Sequence, residues 1–239
     1  MVIKAWLDGD PADLDALARL LPDGDTRVVH DAERDGYYLT APEIDNPPTG
    51  QAYYEVAKAL VVTVNGFARA TNTTLRPVKL KGSFSEGASE HQVIFLESVA
   101  ELRIQVGRPT ITVTKPDGTV VPSPPPRGPG RFAAASKHPD TVEALEIMGQ
   151  SQQLGWVELY KIHEIIRDAI MPDKIHELGW ADKVTDSAFT GSANLPGVSG
   201  SSARHARMPG VPKNTMTIAE GRDYIRGLVI RWLDSLAGT

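Results

Sequence analysis

The feature that most constrains this chain is a change of periodicity across one segment. Before VVPSPPPRGPG, from Val120 to Gly130, apolar residues recur largely at the spacing of strands. After it they recur only at the spacing of helices. The segment's prolines remove amide donors and fix φ, so it reads as a stiff, extended linker. The expected organisation is an α+β domain over residues 1–119, a Pro-rich linker over 120–130 and a helical domain over 131–239.

In the first part, VIKAWLDGD reads as a strand, and Asp10-Pro11 supplies an N-cap with proline at the first helical position. Leu14, Leu17, Ala18 and Leu21 give that helix one apolar face, and Pro22 with Asp23-Gly24 stops it. TRVVH and GYYLT flank the Arg34-Asp35-Gly36 turn as hairpin partners. A long core helix follows from about Gly50 to Ala70, marked by Tyr53, Val56, Ala57, Leu60, Val61, Val64 and Phe67. TLRPVKLKGSF, HQVIFLES, AELRIQVG and TITVTKPDG read as strands. The order βαββα followed by strands predicts a ferredoxin-like or related α+β sandwich.

In the second part, Asp140 is expected to cap a helix through about Gly149, and WVELYKIHEIIRDAI forms a strongly periodic one ended by Pro172. A short helix is expected over Ala181 to Phe189, then a long loop, GSANLPGVSGSSARHARMPGVP. Thr217-x-x-Glu220 is a capping box opening a final helix that ends at Gly238.

Composition removes several classes of chemistry. With no cysteine there is no disulfide framework, thiolate nucleophile or Cys-based metal site, and a reducing compartment is expected. The acidic N-terminus lacks the order of a secretory signal, and the longest apolar run, Ala59 to Val64, is too short to span a bilayer. The expectation is therefore a cytoplasmic protein with no membrane segment. Residues 1–60 hold 12 acids and 5 bases, a net charge of −7, so a protein partner would dock on the acidic first domain. Between Ala203 and Arg231, six Arg or Lys face only Glu220 and Asp223, and a polyanion would dock there.

The near-motifs fail on spacing. His163-Glu164-Ile165-Ile166-Arg167 has an arginine where a zincin needs its second histidine, and reads as a polar helix face; His176-Glu177 fails in the same way at Trp180. Gly128-Pro129-Gly130 reads as linker rather than a phosphate loop, and no Walker A loop or nucleophile elbow occurs. No metal or cofactor is implied. Arg204-His205-Ala206-Arg207 is different, because it sets an imidazole that exchanges protons near neutral pH between two fixed cations.

About 40% of the chain, from Asp140 to Leu236, resembles a group of uncharacterised bacterial helical domains. The matching residues are Trp156 to Ile166, Thr190 to Asn194, Ala203 to His205 and Pro212 to Ile225. The pattern of paired long helices followed by an Arg and His element is also similar to the HEPN superfamily of all-α bundles. Many of its members are dimeric RNA-cleaving toxins or parts of defence systems, and others bind nucleotides. The superfamily's arginine-to-histidine spacing is absent around Arg204 and is met instead by Arg131 and His138, in the linker-like stretch before Pro139.

The resemblance implies an HEPN-like protein binding or cleaving RNA or nucleotides, in bacterial stress or phage defence, as a homodimer. If it is an enzyme, it is a metal-independent ribonuclease. Arg204 would hold phosphate, His205 would be the general acid or base, and Asn194 would orient one of them, with the substrate's 2'-hydroxyl as nucleophile. Arg207, Lys213, Arg222 and Arg226 would extend the nucleic-acid surface, the last two lying one turn apart on the final helix. The rival reading is a non-enzymatic protein-interaction or assembly module of a multi-component system. Charge geometry discriminates: cations converging with His205 favour a polyanion, whereas cations dispersed into separate salt bridges favour the module.

Overall fold

The protein is an α+β protein built on one five-stranded antiparallel sheet. The computed structural model describes residues 2–72, 74–87, 89–93, 127–150, 153–205, 207, 209–210 and 212–238. In chain order the elements are β1 (Ile3–Asp8), α1 (Pro11–Leu20), β2 (Arg27–Asp31), β3 (Gly36–Thr40), α2 (Pro42–Asp45), α3 (Tyr53–Thr71), β4 (Lys79–Glu86) and β5 (Ser89–Gln92). They continue with α4 (Gly128–Ala135), α5 (Pro139–Met148), α6 (Trp156–Ala169), α7 (Lys183–Asn194), α8 (Pro196–Ser199), a 3-10 turn over Gly200–Ser202 and α9 (Ile218–Ala237). No described helix is long and apolar enough to cross a membrane.

The sheet order is β2-β3-β1-β4-β5, so the first strand is central and antiparallel to both neighbours. Two helical excursions, α1 and the longer α3, separate strands that are not adjacent, which leaves both helices on one face. Ala5, Leu7, Val28, Leu39 and Phe84 point into that face and share a core with Leu14, Leu17, Val64 and Phe67. Local chemistry sets the boundaries: Asp10 accepts from the Ala12 amide ahead of Pro11, and Glu55 accepts from the Ala52 amide to open α3. Asn65, buried on α3, pairs its side-chain amide with both the N–H and the C=O of Val78, which pins the entry to β4.

The core does not stop at the proline-rich segment. One hydrophobic cluster runs from Ala5 to Leu233 and includes Phe132, Leu145, Trp156, Ile162 and Trp232. The seam is made by α3 against α5, where two glycines bring backbone against backbone. A Cβ on Gly66 would lie 1.8 Å from the Leu145 carbonyl oxygen, and one on Gly149 would lie 1.9 Å from that of Val62. Phe67 and Phe132 meet edge to face at 5.3 Å, and Arg69 donates to the Met148 carbonyl at the end of α5.

Several sequence expectations change here. Gly128-Pro129-Gly130 is not linker but the first turn of α4, seated so closely that a Cβ on Gly128 would meet the Leu20 carbonyl at 2.0 Å. Arg131 is therefore helical; it ion-pairs with Asp234 of α9, while His138 is the N-cap of α5, so the two serve separate structural ends. Asp140 does not cap α5, because Pro139 already occupies its first turn. The helix expected to end at Phe189 runs on to Asn194, and α8 and the 3-10 turn take up the next part of the long loop. The capping box at Thr217 and the left-handed Gly238 stop, φ 69°, are as read. The strands expected over AELRIQVG and TITVTKPDG, and most of HQVIFLES, lie outside the described residues.

Candidate functional site

The polar groups of the helical half gather where α6, α7 and α9 meet. Glu158 accepts from the Gly155 amide to start α6, and Trp156 seats against Gly221 of α9, where a Cβ would approach the indole to 2.6 Å. That register turns His163 inward, and it is completely buried. The sequence reading of HEIIR as a polar face is wrong at this residue: its ring is enclosed by Phe189 at 5.0 Å, Tyr160 at 5.9 Å and Tyr224 at 6.3 Å.

His163 Nε2 lies 2.7 Å from Asp186 Oδ1 on α7, and the Tyr224 hydroxyl on α9 donates to the same oxygen at 2.6 Å. Because a carboxylate only accepts, Nε2 carries the proton, and Nδ1 is left buried with no partner. Burial pushes the Asp186 carboxyl up, but the hydrogen bonds from His163 and Tyr224 outweigh it and hold the group below its ordinary value. Burial and the Asp186 charge together push the Tyr224 phenol far up. The result is a fixed carboxylate held by the His163 ring N–H and the Tyr224 hydroxyl. His163 is sealed from solvent, so it braces the helices and does not exchange protons with a ligand at the surface.

Above this network lies the segment that sequence singled out. It is tied to α7 at both ends, by the Arg204 amide on the Ala193 carbonyl at 2.8 Å and the Met216 amide on the buried Ser192 hydroxyl at 2.7 Å. The Arg204 guanidinium bonds both oxygens of Glu164 at 3.1 and 3.4 Å and stacks 4.4 Å from the centre of Tyr160. His205, Arg207 and Lys213 are exposed. Asn194 closes α7, but its Oδ1 is buried without a partner, so that oxygen orients neither Arg204 nor His205.

The remaining cations do not join them. Arg222 donates through Nε to the Leu154 carbonyl at 2.9 Å, ahead of α6, and Arg226 pairs with Asp223 at 3.5 Å on its own helix. The common face expected for Arg222 and Arg226 is thus divided between two unrelated partners. Sequence reasoning missed Asp186, Glu164 and the Tyr224 hydroxyl as partners. The signal available was Glu164 beside His163, whose significance depends on which helices lie opposite. Among the described residues no group of three or more His, Asp or Glu side chains is placed to hold a metal ion. Compared with protein families, curated proteins and solved structures, the chain matches none.

Proposed function

We propose that this protein is a non-enzymatic interaction and assembly module, with a ferredoxin-like sheet half and an HEPN-like helical half. The strand order around the central β1 supports the first term. The packing of α6 against α5, α7 and α9 supports the second. The observation that carries the functional reading is the dispersal of the basic side chains. Arg204 is engaged by Glu164 and Tyr160, Arg222 by the Leu154 carbonyl and Arg226 by Asp223, three unrelated sets of partners.

The exposed apolar side chains favour a protein partner. Met171, Leu178 and Val184 are 71%, 39% and 59% exposed on the connection from α6 to α7 and its first turn. A second copy of the chain joined there would make the helical half a dimer. Replacing Met171 and Val184 together with Glu is expected to leave a folded monomer where the wild type sediments as a dimer. A monomeric wild type at all concentrations overturns self-assembly through this face.

A second reading, metal-independent RNA cleavage or RNA and nucleotide binding, is favoured by the exposed His205 between Arg204 and the exposed Arg207. Incubating wild type and His205→Ala with a mixed RNA pool and excess chelator separates the two. Intact RNA in both supports the module; cleavage that disappears in His205→Ala establishes the nuclease.

A further inference from the structure

The outer face of the sheet, opposite α1 and α3, carries a feature that neither reading of the helical half uses. By strand alternation, Ala5, Leu7 and Leu39 enter the core, and Lys4, Trp6 and Tyr38 turn away from it. Trp6 of β1 and Tyr38 of β3 are direct cross-strand partners at the centre of the sheet, with ring centroids 5.5 Å apart at 64°. The indole is fixed by its N–H donating to Ser85 Oγ at 2.7 Å.

Both rings are covered by cations, and Trp6 is only 6% exposed beneath them. Lys4 Nζ sits 4.7 Å from the Tyr38 ring, and the Arg34 guanidinium sits 5.2 Å from the Trp6 ring. Each cation is held in turn by a carboxylate: Lys4 by Asp31 at 2.9 Å, and Arg34 by Glu90 on the edge strand β5. Arg34 and Glu90 are 49% and 56% exposed, so this cover lies at the surface.

A flat cation on an aromatic ring, neutralised by an oxyanion, has the groups with which a stacked base and its phosphate would exchange. The base replaces the guanidinium over the ring, and the phosphate replaces the carboxylate on Arg34 and Lys4. Arg27 and Lys79 occupy the same outward register as Lys4, alongside Asp31 and Asp8, the latter directly opposite Lys79. We infer that the outer face of the sheet binds single-stranded nucleic acid, with Tyr38 and Trp6 as the stacking platform and Arg34 and Lys4 as the phosphate contacts. A duplex, whose bases are already stacked, does not offer the required face. This inference is independent of the assembly reading, which concerns the helical half.

The test is fluorescence anisotropy of labelled rU12, dT12 and a 12-base-pair duplex with the full chain, at two salt concentrations. Binding of both single strands is expected, at least about 10-fold tighter than the duplex and weakened by salt. Tyr38→Ala is expected to weaken it about 10-fold, on the scale of one lost base stack, while Tyr38→Phe retains it. Glu90→Gln removes the competing carboxylate and is expected to tighten binding several-fold. Since Glu90 is exposed, that variant keeps the fold and decides the matter if Tyr38→Ala does not fold. Absence of binding, equal binding of duplex, or affinity indifferent to both Tyr38→Ala and Glu90→Gln overturns the proposal. Loss of binding in Arg207→Ala with Lys213→Ala, but not in Tyr38→Ala, moves the site to the helical half and overturns it equally.

Discussion

Substituting Gly66 by alanine tests the seam between the sheet half and the helical half. In an exposed helix interior this change stabilises by about 1 kcal/mol, because glycine is the poorer helix former. At Gly66 the new Cβ would lie 1.8 Å from the Leu145 carbonyl oxygen, against the 3.0 Å that such contacts respect, so α3 and α5 must part by 3.0 − 1.8 = 1.2 Å. The obstacle is backbone, and no rotamer change relieves it. A gap of that size forfeits roughly a quarter to a half of the dispersion energy across the contact, and overpacking strain costs about 1–3 kcal/mol or more. With the lost dispersion added and the propensity gain of about 1 kcal/mol subtracted, the expected destabilisation is about 1–3 kcal/mol. For a chain of this size that lowers Tm by roughly 2–12 °C. Thermal and urea unfolding followed by helical circular dichroism measures it. Gly227, on α9, is the control: a Cβ there meets only the flexible end of Arg231 at 3.1 Å, so Gly227→Ala is expected to be neutral or stabilising by up to about 1 kcal/mol. A Gly66→Ala protein as stable as Gly227→Ala would refute the close-packed seam.

Asp186→Ala strips the acceptor from both His163 and Tyr224 and is expected to cost about 2–4 kcal/mol in urea unfolding, with Tyr224→Phe costing only about 1 kcal/mol. The Asp186 carboxyl is held below its ordinary value in the folded state, so its contribution is present above about pH 4 and is lost as pH falls through the folded-state value. An Asp186→Asn protein should therefore show a shallower loss of stability on acidification than wild type; an unchanged acid limb excludes this role. Arg204→Ala removes an ion pair and a cation–π contact at a partly exposed site, so unfolding should shift by no more than about 1.5 kcal/mol. Limited proteolysis within residues 195–213 should nevertheless accelerate, and an unchanged cleavage pattern would show that Arg204 does not hold the segment down.

Local patterns in the chain already specified much of this protein. Asp10-Pro11 opens α1, GYYLT is β3, Thr217 with Glu220 opens α9 and Gly238 ends it, because each is decided by a few neighbouring residues and their own hydrogen bonds. The βαββα order with its long core helix likewise follows from the spacing of apolar residues, although that spacing does not mark the short α2. The composition of Gly191-Ser192-Ala193-Asn194 reads as loop, yet these residues finish α7, since Ser192 and Ala193 are buried and Ser192 accepts from Met216. Small size, a loop signal in isolation, is what lets that turn pack.

What sequence alone determined is therefore most of the longer elements, the α+β class and the unusual Arg and His segment, all properties of short windows. Tertiary structure alone decided which groups meet. Gly66 and Gly128, within helices, and Gly149, just past the end of α5, have a purpose that appears only when another backbone arrives against them. His163 is buried because Asp186 and Tyr224, far along the chain, enclose it, and Arg204 is committed because Glu164 lies beneath it. Trp6 and Tyr38 become a pair only through strand register. Each of these depends on distances between residues remote in sequence, and a periodicity carries no information about them.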